Sequence, residues 1–262
     1  MTSIITSTSN PKIKHLISLD KARERRKQNL FAVEGLKELS LAKESGYELE
    51  SVYFCTDFIQ ESKLLKLGLR DAQLISVGRN VFDKIAYRET TGGVIGIAKQ
   101  RNHDLNDLNL PANPLILVLE GIEKPGNLGA VLRTADAAGI TAVISCDPLT
   151  DFYNPNVIRS SVGCLFTNQT ALASSDEAIA WLKKKNINIF CTYLGGSIPY
   201  TEASYIDPCA IVMGSEATGL TDNWVKSADT NIIIPMKGKI DSMNVSVSAA
   251  IVVFEALRQR GH

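Results

Sequence analysis

The stretch from Ala210 to Val253 constrains the fold of this chain more than any other. It opens with Ala210-Ile211-Val212-Met213, four apolar residues in a row, closed by Gly214. A run that short and uniformly apolar reads as a strand covered on both faces, as in a parallel sheet. Gly-Ser-Glu-Ala-Thr-Gly follows at 214–219, which puts Glu216 just past a strand's carboxyl end, where open α/β sheets bind ligands. A second apolar run, Ile232 to Ile234, stops at Pro235. Gly238 is then expected to turn the backbone, and Ser242 and Asn244 offer side-chain oxygens to the first amides of an apolar helix. Two loops are therefore predicted beside a helix start. Singly, each piece is ordinary: Ser or Asn before a helix is usually only a cap, and Gly-x-x-x-x-Gly only a turn.

The rest of the chain alternates in the same way. Leu115 to Leu119 is the clearest buried strand, ended by Glu120-Gly121. Pro125-Gly126-Asn127-Leu128-Gly129 turns into a helix that carries Arg133 on its first turns and stops at Gly139. Val143-Ile144 and Ile187 to Leu194 read as further strands, with helices from Asn154-Pro155 and over Asp176 to Lys185. Upstream, short strands at Phe31–Val33, Val52–Phe54, Leu74-Ile75 and Val94–Ala98 alternate with helices and form a smaller α/β unit. Polar, aperiodic sequence from Gln100 to Asn113 marks the boundary. The expected organisation is an amino-terminal domain over 1–105, a linker over 106–113 and a second domain over 114–262.

Composition excludes several classes. Lys plus Arg equals Asp plus Glu at 28 each, so any basic surface must be local. Residues 1 to 30 supply one, with seven Lys/Arg against two acids, a net +5. A solvated helix face is one reading of that cluster. The other is a phosphate-contacting edge built from Lys12, Lys14, Arg25, Arg26 and Lys27. Five cysteines with no Cys-x-x-Cys pair argue against a disulfide framework and a zinc ribbon, and fit a reduced cytoplasm. The three histidines form no ligand pattern, so no metal is expected. No apolar run approaches the ~20 residues of a membrane span, and the amino terminus has no signal-peptide core.

A dinucleotide-binding unit is the first rival, since Asp147 follows the glycines at about the spacing of a ribose-binding acid. Gly126-x-x-Gly129 lacks the middle glycine that lets a pyrophosphate approach. A P-loop fails for want of Gly-Lys-Ser/Thr, and a hydrolase elbow for want of Gly-x-Ser-x-Gly.

Three segments taken together carry a family resemblance. Asn127-Leu128-Gly129-Ala130-Val131-Leu132-Arg133-Thr134-Ala135, Met213-Gly214-Ser215-Glu216-Ala217-Thr218-Gly219-Leu220, and Ile234-Pro235-Met236-Lys237-Gly238 with Ser242-Met243-Asn244-Val245-Ser246-Val247 resemble the three ordered motifs of the SpoU (TrmH-type) RNA ribose 2′-O-methyltransferases of the SPOUT superfamily. More loosely, Asn10-Pro11-Lys12-Ile13-Lys14 and Phe31-Ala32-Val33-Glu34-Gly35 are similar to the substrate-binding domain often joined to that catalytic domain. The resemblance implies an α/β knot, a parallel sheet with helices on both faces whose carboxyl-terminal segment threads a loop, preceded by a smaller α/β RNA-binding domain. It implies methyl transfer from S-adenosylmethionine to a ribose hydroxyl of structured RNA, with ribosomal RNA favoured because of the added domain and transfer RNA as the alternative. A homodimer through the apolar last helix is implied as well.

By position in the motifs, Leu194, Gly214, Ile234, Met236 and Met243 would line the cofactor pocket. Arg133 would be the catalytic arginine, Asn127 and Glu216 would orient it and the ribose, and Ser242 and Asn244 would hold the reacting nucleotide. Met243 stands where the family commonly has leucine. Accounts of the family that make Arg133 the general base conflict with a guanidinium pKa above ~12. A charge that clamps the adjacent phosphate and stabilises the developing alkoxide is the preferred role. A non-catalytic RNA-binding module is the rival from another class.

Overall fold

The computed structural model describes residues 4–69, 73–87, 92–195, 198–240 and 242–261. Two compact units result, Met1–Asn102 with Asp151–Thr167, and His103–Thr150 with Asn168–His262.

In the first unit Asn10 accepts the Lys12 amide and Pro11 needs no partner for a missing N–H, which starts α1 (Pro11–Ser18). There follow α2 (Ala22–Gln28), β1 (Leu30–Glu34), α3 (Leu36–Glu44), β2 (Leu49–Phe54), α4 (Glu61–Lys66), β3 (Gln73–Ser76), α5 (Arg79–Ile85) and β4 (Val94–Lys99). The sheet order is β1-β4-β2-β3, antiparallel except where β2 meets β3. Ile13 and Leu16 of α1 pack with Tyr53, Ile75, Phe82 and Ile97 to close its core.

The second unit begins with β5 (Leu115–Glu120), α6 (Pro125–Ala137) and β6 (Ala142–Cys146). The chain then returns to the first unit for α7 (Pro155–Ser160) and α8 (Cys164–Thr167). It resumes with β7 (Thr170–Ala173), α9 (Ser175–Lys184), β8 (Asn188–Thr192), β9 (Ile198–Pro199), β10 (Cys209–Met213), α10 (Asp222–Ser227), β11 (Thr230–Ile233) and α11 (Val245–Gln259). Seven strands form one sheet in the order β7-β6-β5-β10-β8-β11-β9, and every pair is parallel. Ile116, Val118, Ile144, Ala210 and Val212 share one buried cluster with α9 and with Trp224 of α10. On the other side α11 packs on α6 and on β10. Helices thus cover both faces, which is why β5 and β10 carry no polar side of their own.

Two expectations of domain organisation differ from what the fold shows. The 106–113 stretch, expected as a linker, packs on the second unit: Leu105 is buried in its core, Leu108 and Leu110 lie against it, and Asn109 exchanges hydrogen bonds with Gln169. Residues 151–167, expected inside the second domain, belong to the first unit. The Arg25 guanidinium donates to Asp151 (2.6 and 3.3 Å) and to the carbonyls of Leu19 and Asp20 (2.8 Å each). Phe31 lies tilted against Tyr153 with ring centroids 4.2 Å apart, and Tyr47 meets Phe166 edge-on. Partners more than a hundred residues apart leave no local trace in the sequence.

Candidate active site

Parallel strands bring the turns after β5, β8, β10 and β11 to one edge of the sheet. The chain builds outward from β5 to β7, then returns to the far side of β10, so this edge holds a topological switch point. A cleft of about 690 Å³ opens there. Leu194, Gly214, Ile234, Met236 and Met243 all line it, together with Glu216, Ser242 and Asn244. Segments separated by up to fifty residues are thereby brought together by the strand order.

Backbone geometry explains the glycines of the 214–219 turn. Ser215 and Gly219 exchange two backbone hydrogen bonds (3.1 and 3.0 Å), folding the loop back on itself. A Cβ on Gly214 would collide with the Gly219 carbonyl and the Leu220 amide, so only hydrogen fits. Gly219 adopts φ +68°, which favours glycine. Gly238, expected to turn the chain, lies with Lys239 at a bend, without a left-handed φ.

A continuous polar chain links the three motifs. Lys124, just before α6, pairs with Glu216, and Asn127 of α6 donates its amide to the same carboxylate. Asn244 Nδ2 donates to Asn127 Oδ1 (3.1 Å), while Asn244 Oδ1 accepts from the Ser246 amide (2.9 Å) and hydroxyl (2.6 Å). Asn244 is thus the N-cap of α11, whereas Ser242 lies outside that cap and lines the cleft. The Glu216 hydrogen bond, then its charge, raises the Lys124 pKa, so the lysine stays cationic. Lys124 was not anticipated: a lysine ahead of a helix proline carries no signal until Glu216 is seen beside it.

A second network fixes the loop from below. Glu120, buried at the end of β5, accepts from the Thr221 amide and hydroxyl (2.8 Å each). The Ser175 hydroxyl reaches Asp147 Oδ2 (2.6 Å) and Glu120 Oε1 (3.1 Å), and Trp224 Nε1 donates to Ser175 Oγ (2.8 Å). Asp147, which imitates a ribose-binding acid in the sequence, instead holds the start of α9 through Ser175. An acid closing a fully apolar strand was the available signal for Glu120.

Arg133 is elsewhere. It lies on α6 six residues beyond Asn127, roughly 120° around the helix by the ~100° step, is exposed, and is outside the cleft lining. Among the described residues the hydrogen bonds and ion pairs of the Asn127 and Glu216 side chains run to each other, Lys124 and Asn244, and none to Arg133. In the first unit Lys12, Lys14, Arg26 and Lys27 are exposed, as a phosphate-contacting edge requires. Arg25 is 1% exposed with its donors spent on protein acceptors, so its expected phosphate contact is corrected to a structural tie.

Among the described residues no group of His, Cys, Asp and Glu could hold a metal, and no helix is long and apolar enough to cross a membrane. The cleft fits a nucleoside-bearing cofactor: its volume is of ligand-pocket size, apolar side chains supply a slot, and the folded 214–219 loop presents main chain to it.

Known proteins place this arrangement. Residues 114–254 match the SpoU rRNA Methylase family, and residues 10–96 match the MRM3-like substrate binding domain. The chain belongs to the SpoU rRNA methylase family. It is 27% identical over 250 residues to the 23S rRNA (guanosine(2553)-2′-O)-methyltransferase RlmP of Bacillus subtilis, covering 95% of this chain and 97% of the relative. A solved RNA 2′-O ribose methyltransferase is 39% identical, with a TM-score of 0.86 over 99% of this chain and 100% of that one. An AdoMet-bound rRNA methyltransferase from Sinorhizobium meliloti is 28% identical, with a TM-score of 0.90 over 98% of each chain.

Proposed function

We propose that the chain transfers a methyl group from S-adenosylmethionine to a ribose 2′-hydroxyl of structured RNA, ribosomal RNA ahead of transfer RNA. One observation carries the reading: residues from two of the motifs line a single cleft at the carboxyl edge of the parallel sheet, and Asn127 of the third is hydrogen-bonded to Glu216 and Asn244 of that lining. The amino-terminal unit and the ribosomal substrate printed for the Bacillus relative favour ribosomal RNA.

When bound, S-adenosylmethionine supplies a sulfonium methyl open to nucleophilic attack. Leu194, Ile234, Met236 and Met243 would hold its apolar parts, with the main chain at Gly214 giving hydrogen bonds. Glu216, fixed by Lys124 and Asn127, and Asn244, fixed by Asn127, present a preorganised polar rim to the ribose. Arg133 would clamp the adjacent phosphate and stabilise charge on the hydroxyl oxygen as its proton leaves to water or phosphate.

That role needs an arginine at the cleft, and the exposed Arg133 of the same chain lies off it. We read the protein as a homodimer in which a second copy completes the site. Support comes from α11, whose Val247 and Phe254 remain 48% and 50% exposed although the helix packs on α6 and β10. The segments 193–194, 214–220, 234–236 and 242–244 beside the cleft would belong to the family's knot.

Calorimetry with S-adenosylmethionine and NADH tests the cofactor; binding of NADH alone would overturn the reading. Ribose-methylation mapping of total RNA from a strain lacking the protein should show one lost ribosomal site. Light scattering should give twice the chain mass.

A further inference from the structure

Tyr87, just after α5, is 64% exposed, unlike most aromatic side chains of the first unit, which are buried. The Arg159 guanidinium of α7 lies over its ring at 3.9 Å from the centroid, and the Tyr87 amide donates to Glu34 Oε1 (2.8 Å), which pins the backbone. Beside them a cavity of about 180 Å³ has apolar walls from Leu16, Ile85 and Ile158, with Lys84 also lining it. All these residues belong to the first unit.

Arg159 differs from the other arginines stacked on rings. Arg79 also pairs with Asp83, and Arg101 also donates to the Ser45 carbonyl (2.5 Å). Among the described residues Arg159 has the Tyr87 ring as partner and spends none of its five N–H donors on a hydrogen bond or ion pair. A guanidinium stacked by its face keeps the donors on its edge for two oxygens of a phosphate, and a tyrosine covered on one face keeps the other for a base.

Resting on the RNA reading above, we propose that the first unit holds one unpaired base of the substrate, with Tyr87 as the stacking surface and Arg159 as the clamp on a flanking phosphate. Sequence-tolerant stacking suits the site, because every base presents a π face. Lys84 adds a second cation at the cavity wall.

The test uses the full chain and short single-stranded oligoribonucleotides carrying 4-thiouridine. Photocrosslinking with peptide mapping should place the crosslink on Tyr87. Tyr87→Ala should weaken binding roughly tenfold while leaving the salt dependence unchanged, since a lost stack removes no phosphate contact. Tyr87→Phe should bind as wild type. Arg159→Ala should lower the log–log salt slope by about 0.7, one single-strand phosphate contact. Crosslinks that map elsewhere, or wild-type affinity in Tyr87→Ala, overturn the site while the RNA reading stands. Wild-type protein that binds no RNA at any salt overturns both.

Discussion

At the carboxyl edge of the seven-stranded sheet, Lys124, Glu216, Asn127 and Asn244 bind one another, whereas Lys12, Lys14, Arg26 and Lys27 of the first unit are exposed with no side-chain partner among the described residues. On the proposed function, the difference follows from what each surface would do. A reaction centre needs polar atoms held in place before the ligand arrives, because reorganisation during the reaction adds to the barrier. A phosphate-binding edge needs charge more than geometry, since counterion release makes affinity depend on the number of neutralised phosphates. Arg25 and Arg133 each depart from the pattern of their own unit, one spent and buried, the other exposed.

Arg133 gives the largest expected effect. Arg133→Ala should lower single-turnover methylation by roughly 10²-fold or more, as for loss of a preorganised charge-stabilising donor, while calorimetry finds S-adenosylmethionine affinity unchanged. Arg133→Lys should recover only part of the rate at every pH, because an ammonium lacks the planar fork. If the lysine variant instead reaches wild-type rates at high pH, arginine serves as the base.

Arg25 and Arg26, neighbours in sequence, should separate in stability. Arg25→Ala leaves Asp151 and two carbonyls without their donor, and urea unfolding should show a loss of about 3 kcal/mol, the lower end for breaking a buried pair because Asp151 is partly exposed. Arg26→Ala should stay within about 0.5 kcal/mol. Equal effects would break the contrast between the buried and the exposed arginine.

Replacing Lys12, Lys14, Arg26 and Lys27 together with Ala should lower the salt slope of RNA binding by up to about 0.9 per residue that contacts a phosphate. Cofactor affinity should not move. A salt slope that does not change would show that the exposed lysines and arginines are only a solvated face.

The smallest effect concerns Glu255 of α11, which hydrogen bonds from Arg258 and then Gln259 hold down to about 2 from the usual 4.5. A depressed carboxylate contributes stability that is present above its unfolded pKa and lost as pH falls through the folded one. Urea midpoints should therefore decline between about pH 4.5 and 2, and Glu255→Gln should flatten that limb.

Particular residues show how much the sequence could carry. The apolar runs of β5 and β10 announced a sheet covered on both faces, and Asn154 and Asn244 announced two helix starts, because a strand's burial and an N-cap's hydrogen bond are satisfied by near neighbours. The second and third motifs likewise held Gly214, Glu216, Ile234, Met236, Ser242, Met243 and Asn244, which line the cleft. Tertiary structure alone decided that β10 lies between β5 and β8, that 151–167 returns to the first unit, that Lys124 meets Glu216, and that Arg25 is spent on Asp151 while Arg133 is left off the cleft. Each depends on partners brought together by strand order and packing from distant parts of the chain, and no local period or propensity encodes such a pairing.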